Sequence, residues 1–183
     1  LSCYGDAYSY IALRRKSGLH IAHAVGKWNE ETCKEFYGLI KNRVRKPTRK
    51  HKLKIISDGN KQNIEAIKNN FDENCVDYAQ VIKVRENQIV VALEKRNVFG
   101  LTNEEKITMH QIDSYCGTLR ERIPIYVRET KAFSKKRKNV ENRLDIFQMY
   151  RNFIWAKKGK TPAMIEGITK RVWTWKDIIL WRV

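Results

Sequence analysis

Strand-like and helix-like apolar periods alternate along the chain as far as about Ile107, and from there on only the helical period remains. This order restricts the fold more than any other feature. Strands come early, helices come late, and a strand, acidic turn, helix unit lies between them, as in a mixed sheet flanked by helices. Tyr8 to Leu13 is aromatic, apolar and β-branched, and Leu19, Ile21, His23 and Val25 alternate with His20, Ala22 and Ala24 beyond a Ser17-Gly18 turn. The pattern predicts an antiparallel hairpin. Asn29 is placed to cap a helix that has Glu30 and Glu31 at its positive end and Cys33, Phe36, Tyr37, Ile40 and Val44 on one face, ending near Pro47.

Leu53 to Ser57 reads as a short strand running into Asp58-Gly59-Asn60, and Ile64, Ile67 and Phe71 then mark a short amphipathic helix. Asp77 to Val84 and Gln88 to Leu93 form a second predicted hairpin, turning at Arg85-Glu86-Asn87. Ile112, Tyr115, Cys116, Leu119 and Ile123 share a helical face that Pro124 ends, and Val140, Leu144, Phe147, Tyr150 and Ile154 share the next. A tail from Gly159 carries Trp173, Trp175 and Trp181, expected to pack on the core, with a dimer contact as the alternative.

The chain has 183 residues, enough for one domain with a small appendage, and 42% of them are hydrophobic, far from a disordered composition. No apolar run approaches the roughly 20 residues that cross a bilayer, and the N-terminus shows no signal-peptide pattern. No membrane association and a cytoplasmic location are expected. Cys3, Cys33, Cys75 and Cys116 lie far apart and read as small buried apolar residues. His20, His23, His51 and His110 show no metal-site spacing; on a regular strand His20 and His23 point to opposite faces.

The 37 Lys and Arg against 20 Asp and Glu leave a net charge of +17, which makes a polyanion the expected partner, nucleic acid before membrane. Two basic segments stand out, Arg43 to Lys54 and Lys131 to Lys138. Within them Arg43, Arg45, Lys46, Arg49, Lys50 and Lys52, and Lys131, Lys135, Lys136, Arg137 and Lys138, are the candidate phosphate contacts. The candidate acids are Asp58 at the end of its strand, where open α/β sheets place ligand-binding groups, and Asp113 on the helix predicted from Ile107 to Ile123, with Gly117 one turn on. A third candidate, Asp6, precedes the first strand. Carboxylates that meet in space can hold a pair of hard divalent cations for phosphoryl transfer.

Tyr4-Gly5-Asp6 through Gly26, Ile56-Ser57-Asp58-Gly59, Val76-Asp77-Tyr78-Ala79, Thr118-Leu119-Arg120, Arg128 to Lys135, Thr161-Pro162-Ala163-Met164, Gly167-Ile168-Thr169 and Val172-Trp173 follow one another in a set order. In these stretches the chain resembles DDE transposases of the insertion-sequence-1 type, over nearly its whole length. The resemblance implies an α/β, ribonuclease-H-like mixed sheet flanked by helices with a helical C-terminal tail. On that division residues 1–155 form the catalytic domain and residues 156–183 the Trp-rich tail. It also implies DNA transposition, with phosphodiesters at the ends of an insertion sequence cut and joined using Mg²⁺ or Mn²⁺. The partners would be double-stranded DNA and a second copy in a synaptic complex.

The family's second aspartate maps onto Asp58, and its third acid, a glutamate, onto Asp113, so Asp stands here for Glu and Cys116 for an asparagine three residues on. The family's first aspartate lies on a strand preceding Tyr8 to Leu13, so that acid is expected to be absent, with Asp6 as a substitute. An N-terminally truncated copy is the reading that follows, with an exposed hairpin edge and low solubility. The alternative is a catalytically dead remnant acting only as a basic DNA-binding protein.

Overall fold

The structure, a computed structural model, describes residues 7–87, 89–127, 131, 134 and 136–181. Its elements are β1 (Tyr8–Leu13), β2 (His20–Gly26), α1 (Glu30–Arg43), β3 (Leu53–Asp58), α2 (Gln62–Asn70), β4 (Val76–Glu86) and β5 (Ile89–Phe99). They are followed by α3 (His110–Arg122), α4 (Arg137–Met149), α5 (Pro162–Ile165) and α6 (Trp175–Ile179). The fold is mixed α/β, and β3, β4 and β5 form a three-stranded mixed sheet, while β1 and β2 form a sheet of their own. The chain divides into two compact units, one from Lys27–Ser114 and one from the described parts of Leu1–Gly26 and Tyr115–Val183. Among the described residues no helix is long and apolar enough to cross a membrane.

In the unit built on Lys27–Ser114, Asn29 caps α1 as its sequence predicts, its side-chain oxygen accepting from the Thr32 N–H at 3.0 Å. A cap of this kind stabilises a helix by about 1 kcal/mol. Cys33, Phe36, Tyr37 and Ile40 form the buried face of α1. β3 pairs parallel with β4 from Leu53 opposite Val76 to Asp58 opposite Val81, and β5 pairs antiparallel with β4 on its other side. β4 is buried from Val76 to Val81, as a central strand must be. β5 runs to Phe99, six residues beyond the Leu93 expected from its apolar run, because the ladder with β4 continues through the charged stretch Glu94 to Arg96. At its far end Gly100 adopts φ +62°, and a Cβ there would collide with the Asp77 carboxylate. Glycine is required on both counts.

The other unit is organised around the β1–β2 hairpin. Its core face carries Ile11, Leu13 and Val25 against Tyr115, Leu119, Ile123, Leu144 and Phe147 of α3, α4 and the residue after α3. The register shifts by one residue at its turn end, Leu13 facing His20 and Ala12 facing Ala22, so Ile21 is an extra residue in a β-bulge. This shift reverses the facing expected for the two histidines. His20 lies opposite Leu13 and His23 opposite Ile11, on the same face, and their rings meet with His20 Nε2 and His23 Nδ1 at 3.2 Å.

A bulge leaves backbone groups without ladder partners, and here the helical segment at 148–152 supplies them. α4 widens into a π turn over Tyr150–Ile154, and the Asn152 amide closes a two-way bond with His20. His20 N–H donates to Asn152 Oδ1 at 2.8 Å, and Asn152 Nδ2 donates to the His20 carbonyl at 2.9 Å. Gln148 Nε2, one turn earlier, donates to the same carbonyl at 2.8 Å. Asn152→Ala should therefore destabilise this unit by about 2–4 kcal/mol, since a buried unsatisfied group costs about 1–3 kcal/mol. Urea unfolding measures it, and a loss under about 0.5 kcal/mol would show that the clamp is dispensable.

Candidate functional site

Asp58 is the last residue of β3 and is exposed at the carboxyl end of the parallel pair. Its Oδ1 accepts from the Asn63 side chain at 3.2 Å and, weakly, from the Asn60 N–H at 3.4 Å. Asp58 Oδ2 has no hydrogen-bond donor among the described residues. Asp-Gly makes the turn, and Gly59 lets the chain pass Ile82, whose Cγ1 would stand 3.1 Å from an added Cβ.

A buried polar cluster holds Asp58 from beneath. Asn63, 5% exposed on α2, is its centre: Nδ2 donates to Ser57 Oγ at 3.0 Å as well as to Asp58, and Oδ1 accepts from the Cys33 thiol at 3.1 Å. Ser57 Oγ and the Tyr78 hydroxyl are 2.8 Å apart, and Gln80 Nε2 donates to Tyr78 at 2.9 Å and to the Asn60 carbonyl at 3.1 Å. The parallel register makes this meeting geometric, because Ser57 lies opposite Gln80 and Ile55 opposite Tyr78. Burial, and then the Asp58 charge, pushes the Cys33 thiol up to about 11. Burial chiefly carries the Tyr78 phenol to about 12 and holds the Tyr37 phenol well above its ordinary value. These three groups stay protonated at neutral pH.

Asp113, in the first turn of α3, is exposed, and Lys83 Nζ lies 3.7 Å from its Oδ1. Lys83 is two positions along β4 from Val81, the residue opposite Asp58. Asp58 is thus paired with Val81 of β4, and Asp113 meets Lys83 of the same strand. A Cβ at Gly117 would meet nothing within 4 Å, which leaves open the space expected one turn along α3. Asp6 and Lys135 lie outside the described residues. Oxygen donors of this kind fit Mg²⁺, which takes hard ligands, and Asp58 and Asp113 each keep an oxygen without a donor among the described residues. Among the described residues no group of three or more His, Cys, Asp or Glu gathers to hold a metal ion.

The basic segment after α1 is a loop, closed by paired backbone bonds between Thr48 and His51 at 3.1 Å. Arg45, Lys46, Arg49 and Lys50 are exposed on it. Lys52 is different: its ammonium donates to the buried Asp77 at 3.2 Å, an ion pair that the sequence does not announce. In the second basic segment Lys131, Lys136 and Lys138 are exposed, and Arg137 binds Glu141 one turn on at 2.6 Å.

Sequence reasoning missed a second polar chain, in the unit that holds the hairpin. The Tyr115 hydroxyl is 2.7 Å from His20 Nδ1, His20 meets His23, and His23 Nε2 is 3.4 Å from Asp145. Its only sequence signal was the H-x-x-H spacing, which a bulge makes productive and a regular strand does not. Compared with known proteins, the chain matches no family model, no curated protein and no solved structure.

The Asn63 cluster predicts the behaviour of Cys33. Iodoacetamide at pH 8 should spare Cys33 in the folded chain and modify it on unfolding, because thiolate is roughly one part in a thousand there. Asn63→Ala should speed its labelling at least about tenfold by opening the cluster. Peptide mass mapping reads both rates; prompt labelling of the unaltered chain would contradict the arrangement.

Proposed function

We propose that the chain handles DNA in the manner of a DDE transposase, on a ribonuclease-H-like fold, with Asp58 and Asp113 as its metal-binding carboxylates. The observation that carries this reading is the position of Asp58: a carboxylate at the carboxyl end of a parallel strand, steadied by Asn63 and open on Oδ2. Side chains at that end of a sheet converge where a ligand can enter. The resemblance along the chain supports the same assignment, and the exposed cations Arg45, Lys46, Arg49 and Lys50 supply the charge to hold a phosphate backbone.

In this reading Asn63 and the Asn60 N–H hold one oxygen of the Asp58 carboxylate in place. Cys33, Tyr37 and Tyr78 are all held neutral, which leaves no rival nucleophile among these neighbours of the carboxylate. Lys83 must leave Asp113, or share it, for that acid to serve. Mg²⁺ held by these carboxylates would activate water or a 3′-hydroxyl for in-line attack on a phosphodiester.

The rival reading is a DNA-binding chain without chemistry, and the Lys83 ion pair favours it, because it already neutralises one of the two acids. One set of measurements separates the two. With Mg²⁺ or Mn²⁺ and a duplex substrate, cleavage or strand transfer that falls at least about a hundredfold in Asp58→Asn supports the enzyme. Duplex binding with no cleavage leaves the binding protein. Arg45→Ala combined with Lys46→Ala should weaken duplex binding uniformly and flatten its salt dependence by about 0.9 per contact. Failure to bind duplex at all would sink both.

A further inference from the structure

We propose that the Trp-rich region after α4 is a stacking platform for a single-stranded polynucleotide, separate from the Asp58 site. The π turn at Tyr150–Ile154 builds its base. Trp173 N–H donates to the Phe153 carbonyl at 2.9 Å, which pins the tail to that turn. Phe153 and Trp173 lie with ring centroids 4.7 Å apart, Trp173 and Trp181 5.0 Å, and Tyr150 and Trp175 are stacked at 6.0 Å with 10° between their planes. The outer rings are not used up by this packing. Trp175 is 47% exposed and Trp181 60%, whereas packing on the core was expected of them. Rings backed by other rings are held flat and ready for a third, at little entropic cost.

Charge selects the occupant. Between Tyr150 and Trp181 there are seven Lys and Arg and only two acids. Both acids are engaged, Glu166 with Arg14 at 3.7 Å and Asp177 with Arg171 at 2.6 Å. The Arg151 guanidinium lies 3.6 Å from the Trp155 ring centroid, with its Nε and Nη1 buried and without a hydrogen-bond partner among the described residues. Lys157, Lys158 and Lys160 are exposed on a tight turn closed by Lys157 N–H to the Lys160 carbonyl at 3.0 Å. The two central residues of that turn, Lys158 and Gly159, have φ +52° and +76°. Such a turn favours Asn-Gly, and a lysine held there against its own backbone preference marks a place where charge matters more than ease of folding.

Aromatic faces set among cations fit a polyanion whose bases are unstacked, which a duplex does not offer. A second copy of the chain would bring the same positive excess, and α6, with five residues, is too short for an amphipathic anchor on a lipid surface. The kind of polyanion rests on the DNA reading above; the platform itself does not depend on the metal site.

The test uses the full chain and an oligothymidine of about twelve nucleotides. The oligonucleotide should quench tryptophan fluorescence, and Trp175→Ala and Trp181→Ala should each weaken its binding about tenfold, while Trp175→Phe retains most of it. Lys157→Ala with Lys158→Ala, which touches no ring, should lower the salt slope by about 0.7 per lysine, so the result does not hang on tail folding. Duplex affinity should stay unchanged in all four. Unaltered oligothymidine binding in the tryptophan and lysine variants would overturn the proposal, as would equal losses for duplex, or quenching by vesicles of anionic lipid without quenching by the oligonucleotide. Loss of duplex binding with the oligothymidine result intact would instead overturn the proposed function and leave the platform standing.

Discussion

The parallel pairing of β3 with β4 is the constraint on which the Lys27–Ser114 unit depends. Parallel neighbours cannot be joined by a tight turn, so the chain must cross over, and it does so through α2 and the short Glu73–Cys75 turn. A strand paired on both sides and covered on its faces is buried, which is why β4 from Val76 to Val81 tolerates Asp77 and Gln80 only with partners supplied: Lys52 for one, Tyr78 and the Asn60 carbonyl for the other. The same register puts Asp58 one residue beyond Ser57, so the carboxylate emerges where the buried hydrogen bonds end.

Each unit solves an irregularity with one asparagine. Asn152 fills the backbone gap left by the bulge at Ile21, and Asn63 ties α1, the end of β3 and the Asp58 turn together. An amide suits both places because it donates and accepts at one end of a short side chain. The cost of either solution is directional: a buried amide whose partners move becomes a liability, so both sites are rigid or they are not formed at all.

How much was legible follows from the range of each interaction. The β1–β2 hairpin, the Asn29 cap, the β3 strand with its Asp-Gly end and the stop at Pro124 all rest on neighbours in sequence, and the structure has them. The pairing of strands does not: the mixed sheet the sequence pointed to is present as β3, β4 and β5, but that β1 and β2 would pair apart from it was not readable. Periodicity shows which face of a strand is buried, not which strand lies beside it. The bulge at Ile21 escaped for a related reason: it is set by the register against β1, and one extra residue reversed the facing of His20 that alternation implied. The ion pairs of Lys52 and Lys83 bridge 25 and 30 residues of sequence, respectively, so a basic run could not reveal that one of its lysines was spoken for. The place of Asp58 at a strand end was legible because its signal, a strand ending in Asp-Gly, is local; the cluster that steadies it was missed because Asn63, Tyr78 and Gln80 converge only in the fold.

Those ion pairs also sort the large positive charge. Lys52 and Lys83 meet Asp77 and Asp113, and Arg171 meets Asp177, whose carboxyl is held far below its ordinary value by the Arg171 side chain and then by hydrogen bonds from Thr174. Cations of this kind shape the molecule. Arg45, Lys46 and Lys50, and the Lys157–Lys160 turn, are exposed on tight loops, where like charges repel unless something negative arrives. A fold that only needed solubility could scatter them. Concentrating them on short closed turns, one of which holds a lysine at positive φ, sets like charges close together at a cost to the chain.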